Sequence, residues 1–115
     1  QELAEQHYWR VLEYDQNHPV ALLYVSGISM RKSKWKSMFG QLTQAWNKLS
    51  ESEALSVDSM VEETVALGRY IAAQKVEDTD AESEMLSWLE NRSVEIDESL
   101  DSQFLERLTL RMFGL

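Results

Sequence analysis

The chain has 115 residues, 43% of them apolar, with four Trp, four Gly, one Pro and no Cys. Such a composition is too hydrophobic for disorder and too poor in turn formers for an all-β sandwich, and it excludes disulfide scaffolds, thiol catalysis and cysteine-ligated zinc. A formal net charge of -9 repels phosphate backbones, so nucleic-acid binding by the chain as a whole is not expected.

The charge is uneven. Residues 1–50 hold six basic and four acidic side chains, with no acid from Gln16 to Ser50, whereas residues 51–115 hold sixteen acidic and five basic ones. The length suits a single all-α domain over residues 1–115. The longest apolar run, Val20 to Val25, is far shorter than the roughly 20 residues of a membrane helix. No signal-peptide pattern opens the chain, so no membrane insertion is expected and a cytoplasmic location is favoured.

In chain order, Leu3, Ala4, Tyr8, Val11 and Leu12 recur at helical spacing and predict a first helix over 2–16, with Glu2 and Glu5 where the dipole favours anions. Pro19 cannot continue that helix, biases His18 away from helical backbone and suits the first turn of the next. Ala21, Leu22, Val25, Ile28 and Ser29 place a second helix from Val20 to about Lys32. Trp35, Met38, Phe39, Leu42, Ala45, Trp46 and Leu49 mark a third over 35–49. A longer fourth helix is expected from Val57 to Val76, with Ser50 and Glu53 among several candidate caps before it. Thr79, with Glu82 three residues later, reads as a capping box for a fifth helix carrying Ala81, Met85, Trp88 and Leu89. The last helix, from Glu98 to Phe113, bears the row Leu100, Phe104, Leu108 and Met112.

A repeat underlies the first part of this pattern. Ala4, Tyr8, Val11 and Gln16 correspond, at an offset of 34 residues and without gaps, to Met38, Leu42, Ala45 and Ser50. Residues 1–50 thereby resemble the tetratricopeptide repeat (TPR), with "AEQHYWRVLEYDQNHPVAL" as the second helix of one unit and the link into the next. Ala21, Leu22, Val25 and Ser26 take the family's first-helix packing positions, and Trp35 the aromatic that opens the second helix. The family's terminating proline would fall at Gln16 and Ser50 and is absent from both. Its packing glycine falls on Ser26, beside Gly27, and its turn glycine on Ser33. "ALGRYI" and "AESEMLSWL" form a degenerate third unit, with Gly68 as its small packing residue, only after an insertion of about eight residues relative to the 34-residue period.

The resemblance implies a right-handed superhelical array of antiparallel hairpins. It divides the chain into a half repeat plus one repeat over 1–52, a degenerate hairpin over 53–97 and a capping helix over 98–115. It also implies that the chain opens in mid-unit, as a fragment of a longer array would.

Several local features invite a functional reading. Arg31, Lys32, Lys34 and Lys36 surround Trp35 in "RKSKWK", a patch able to hold an acidic partner or simply to complement a helix C-terminus. "DTDAESE" lacks the glycine and the bidentate glutamate of a calcium loop and reads as an acidic helix start. His7 and His18, the only imidazoles, have no acid at a metal-motif spacing. The Asn91-Arg92-Ser93 sequon is a chance-level match unless the chain is secreted. No metal, cofactor or catalytic constellation is therefore expected.

The resemblance places the concave binding face on Val20, Leu23, Tyr24, Gly27, Met30 and Arg31, suited to an amphipathic helix or an extended apolar segment unless the chain's own next helix covers it. The expected function is a non-catalytic protein–protein interaction module, a scaffold or adaptor. The alternatives are an accessory helical domain that positions an enzyme's substrate, or a bundle that homodimerises through Leu100, Phe104, Leu108 and Met112.

Overall fold

A computed structural model describes the backbone of residues 2–16, 18–51 and 59–113, and the side chains of 6–16, 18–51 and 60–109. Among these residues the chain is all-helical, with α1 Glu2–Tyr14, α2 Pro19–Arg31, α3 Trp35–Glu51, α4 Ser59–Val76, α5 Thr79–Asn91 and α6 Leu100–Phe113, and no strand. None of these helices is long and apolar enough to cross a membrane. The expected helix start at Val57 and the Glu53 of the Ser50 cap lie outside the described residues.

The helix ends follow from local chemistry. His18 is the N-cap of α2, its Nδ1 accepting the Ala21 N–H at 3.2 Å, and Pro19 occupies the first turn, where a missing N–H costs nothing. The cap of α5 is Asp78 and not the expected Thr79: an Asp78 Oδ1 accepts the Ala81 N–H at 3.0 Å, one residue earlier. A carboxylate satisfies the orphan donor and also faces the positive end of the dipole, so Thr79 and Glu82 become first-turn residues.

Three helices close in the same way. After α2, the Ser33 N–H donates to Met30 C=O and the Lys34 N–H to Ser29 C=O; after α4, Glu77 donates to Gln74 and Asp78 to Ala73; after α5, Ser93 donates to Glu90 and Val94 to Leu89. This paired bonding defines a Schellman cap, whose pivot residue is left-handed. Ser33, Glu77 and Ser93 have φ of 56°, 61° and 59°, so each turn is made by a residue other than glycine.

Tight turns after α2 and α4 fold consecutive helices back on each other. Lys75 of α4 stands over Trp35 of α3, Arg69 of α4 bonds Thr43 of α3, and Gln74 and Arg69 of α4 reach Glu82 and Glu84 of α5. Both pairings are antiparallel. α2 packs on α3, and α1 on α2, where Tyr8 stacks on Tyr24 with ring centroids 4.5 Å apart.

α4 is the hub, touching α2, α3, α5 and α6. Every residue from Thr64 to Ala73 is buried, as expected of a helix enclosed on all sides. Its side chains join Leu22, Leu23, Met38, Leu42, Met85, Leu89 and Phe104 in one core cluster. Burial of each large side chain there contributes about 1.5–3 kcal/mol before conformational entropy is subtracted.

α6 departs from the sequential order. Among the described residues it packs on α4 and α2 and on no other helix. The chain reaches it through the irregular segment 92–99, whose Val94 and Ile96 are half-buried against the core. The radius of gyration of 13.3 Å is close to the roughly 13 Å of a compact chain this long, so α6 folds back onto the other helices and does not extend from them.

Candidate functional site: a groove between two helices

The tight turn at 32–34 folds α3 back along α2, where Ser29 Oγ donates to Gln41 Oε1 at 3.0 Å, so α2 and α4 are both antiparallel to α3 and parallel to each other, and their shared face receives α6. Two glycines open the seam. A Cβ on Gly27 would lie 2.6 Å from Leu108 Cδ1, and one on Gly68 would overlap the Phe104 ring and stand 2.8 Å from Leu42 Cδ1. Phe104 is fully buried, Leu100 and Leu108 nearly so, so the row Leu100, Phe104, Leu108 is the apolar edge that α6 sinks into its host. Arg107 Nη1 donates to Glu63 Oε1 at 3.3 Å and joins the edge of α6 to α4.

Of the six residues expected to form a binding face, Leu23, Gly27 and Met30 are buried, Val20 and Tyr24 are half-buried and Arg31 is exposed. Gly27 meets α6 at Leu108, and Leu23 and Met30 belong to the same core cluster as Leu100, Phe104 and Leu108. The expected self-association row is turned inward at Leu100, Phe104 and Leu108, and the Met112 side chain lies outside the described residues. A dimer built on that row therefore requires α6 to leave its seat.

The basic patch is a separate surface. Arg31, Lys32, Lys34 and Lys36 are exposed around the half-buried Trp35, and the fold adds Lys75, whose Nζ stands 5.1 Å from the Trp35 ring centroid. Ser33, Lys34, Trp35, Lys36 and Lys75 help line an open depression of about 540 Å³. Its cations lie at the end of the α2–α3 turn, where they also complement the negative end of α2.

Sequence reasoning missed the polar tie inside the helical stack. Arg69, 8% exposed, donates through Nε to Thr43 Oγ1 at 3.1 Å and through Nη1 to Glu84 Oε1 at 2.9 Å, with its guanidinium 5.6 Å from the Phe39 ring centroid. It bonds α3, α4 and α5 together, and the only trace in the sequence is a lone cation in an otherwise uncharged run. The Arg107–Glu63 pair spans 44 positions and has no periodic signature at all.

Burial, with Glu82 and Glu90 nearby, raises the Tyr70 pKa above its ordinary value, and the Tyr70 hydroxyl oxygen accepts from the Gln74 amide at 3.3 Å. Among the described residues no cluster of His, Asp and Glu could hold a metal ion, and no buried side-chain N or O lacks a hydrogen-bond partner. His7 packs edge-on to its neighbour Tyr8, and His18 is committed to its cap.

Comparison with protein-family models, curated proteins and solved structures finds no match to this chain.

Proposed function

We propose that the chain is a non-catalytic protein–protein interaction module of TPR-like construction, in which α2–α3 and α4–α5 are successive hairpins and α1 is the second helix of a preceding unit. The observation that carries the reading is the relation of α2 to α4: these first helices of consecutive hairpins lie side by side, and their common face accepts an amphipathic helix, α6. Matching Schellman caps at Ser33 and Glu77 close both first helices and favour two copies of one hairpin design. In this reading α6 occupies the concave face of the array, and its role extends beyond that of a terminal cap. A scaffold or adaptor exposes such a face to a helical or extended apolar segment of its partner.

The test is to immobilise the full chain, identify the proteins it retains, and repeat with Tyr24→Ala and Arg31→Glu, which alter the accessible edge of the face. Reduced retention of the same protein by chains of unchanged helicity is expected. A chain that retains no protein in stoichiometric amount would sink the reading.

A further inference from the structure

α6 covers one side of α2, and the opposite side opens to solvent. Gly27 meets Leu108 of α6, whereas Val25 and Ser29, two positions before and after it, lie about half a turn further around the helix. On that side Val25 and Ile28 of α2, Trp9 of α1 and Gln41 of α3 help enclose a cleft of about 160 Å³, with Lys32 and Lys34 at the end of α2. The volume is comparable to that of a cavity that accepts a single benzene ring, and Trp9 is 46% exposed beside it.

The cleft runs into the basic depression. Lys34 and Ser37 line both, and beyond them the depression continues past Trp35, Lys36 and Lys75. Its cations are uncommitted: among the described residues the ion pairs are Arg69 with Glu84, Arg92 with Glu62 and Arg107 with Glu63, and none engages Arg31, Lys32, Lys34, Lys36 or Lys75. No acid occurs from Gln16 to Ser50, so the α2–α3 turn and its flanks are free of carboxylates, and Glu77 is the one acid on the depression's lining. Lysines at a helix end are commonly just solvated; what sets these apart is the apolar cleft, with its exposed tryptophan, that opens into them.

Charge and shape together select the occupant. A membrane or a nucleic-acid duplex is broad and meets Glu77 and the acids that follow it in 77–84, whereas a narrow strand can lie along the α2–α3 turn alone. We propose that the cleft and the basic depression form one docking surface for a short acidic segment of another protein, with a bulky apolar side chain seated beside Trp9 and carboxylates over Lys34, Lys36 and Lys75. With a Debye length of about 8 Å, these local cations outweigh the distant acids for so small a ligand. Exposed ion pairs contribute little individually, so the anchor beside Trp9 decides which acidic segments are held. The surface is separate from the α2–α4 face, and its failure leaves the reading of that face untouched.

The probes are two fluorescent synthetic peptides, one with a phenylalanine ahead of a run of glutamates and one with it behind, beside a control of glutamates alone, each titrated into the full chain. At least one phenylalanine peptide should bind roughly tenfold more tightly than the control, and its binding should weaken as salt is raised. Trp9→Ala should remove that advantage and leave the control unchanged. Lys34→Gln combined with Lys36→Gln should weaken all three peptides, while Arg10→Gln, at a cation of α1 outside both depressions, should have no comparable effect.

Should Trp9→Ala lose helicity, the unaltered chain supplies the same information by NMR: the indole N–H resonances of Trp9 and Trp35 should shift on titration, while those of Trp46 and Trp88, packed on each other between α3 and α5, should stay. Equal binding of all three peptides, indifference to Trp9→Ala in a folded chain, or indole shifts at Trp46 and Trp88 instead overturns the proposal. Tighter binding to vesicles containing phosphatidylserine, or to duplex DNA, also overturns it, by making a broad anionic surface the occupant. So does a concentration-dependent dimer that Lys34→Gln with Lys36→Gln dissolves, because the occupant is then a second copy.

Discussion

Two glycines with identical helical propensity have opposite expected responses to the same substitution. Gly40 lies on the exposed side of α3 with no atom near the position of a Cβ, so Gly40→Ala should stabilise the chain by about 0.5–1 kcal/mol through helix propensity alone. At Gly68 the added methyl meets the Phe104 ring and Leu42, and Gly68→Ala should destabilise by about 1–3 kcal/mol through overpacking. Urea unfolding of the two variants beside the parent checks both signs. Gly27 is the softer case, because the obstructing atom is the free end of the Leu108 side chain. Of these positions, only Gly68 was readable in advance as a packing glycine; that its occupant would be Phe104 was not, since the two are 36 residues apart and on helices joined by no repeat signal.

At the scale of the element, the three left-handed pivots mark where the helices are least at ease. A left-handed residue with a side chain costs about 1–2 kcal/mol relative to glycine, offset in part by the greater freedom glycine has when unfolded. Ser33→Gly and Glu77→Gly should each raise stability by about 0.5–1 kcal/mol, seen as a higher urea midpoint at unchanged slope. The entry to α6 has its own sensitivity to acid. Ser99 donates its hydroxyl and its N–H to the Asp97 carboxylate, with the Gln103 amide adding a third bond, and these donors hold the Asp97 pKa below its ordinary value. Folding thus gains from Asp97 above the ordinary carboxylate pKa and loses that gain as pH falls through the lowered one. The Asp97 carboxyl resonance should titrate below about 3.9, and the first-turn amides of α6 should lose protection over the same range, a response absent from Asp97→Ala.

For the molecule as a whole, charge is the property with the widest reach. Sixteen of the twenty acids fall after residue 50, while the cations of the 31–36 cluster sit with Lys75 on one small surface. Labelled duplex DNA should show no anisotropy change with the chain at physiological salt, because one local patch does not overcome a net charge of -9. Binding there that falls steeply with salt would show the patch to dominate.

The sequence by itself determined the six helices and most of their ends, since apolar spacing, a single Pro19 and a shortage of glycine are local signals that act within a few residues. Its one misplaced cap, Thr79 for Asp78, arose where two good capping residues stand side by side. Only the tertiary structure decided what lies against what: that α4 is enclosed, that Arg69 ties three helices, and that α6 folds back into the seam between α2 and α4. A helix's periodicity states that one face must leave water, and the row Leu100, Phe104, Leu108 stated it clearly. Which surface receives that face depends on shape and charge contributed by residues far away in the chain, here the notches at Gly27 and Gly68 and the carboxylate of Glu63, and no local pattern encodes that meeting.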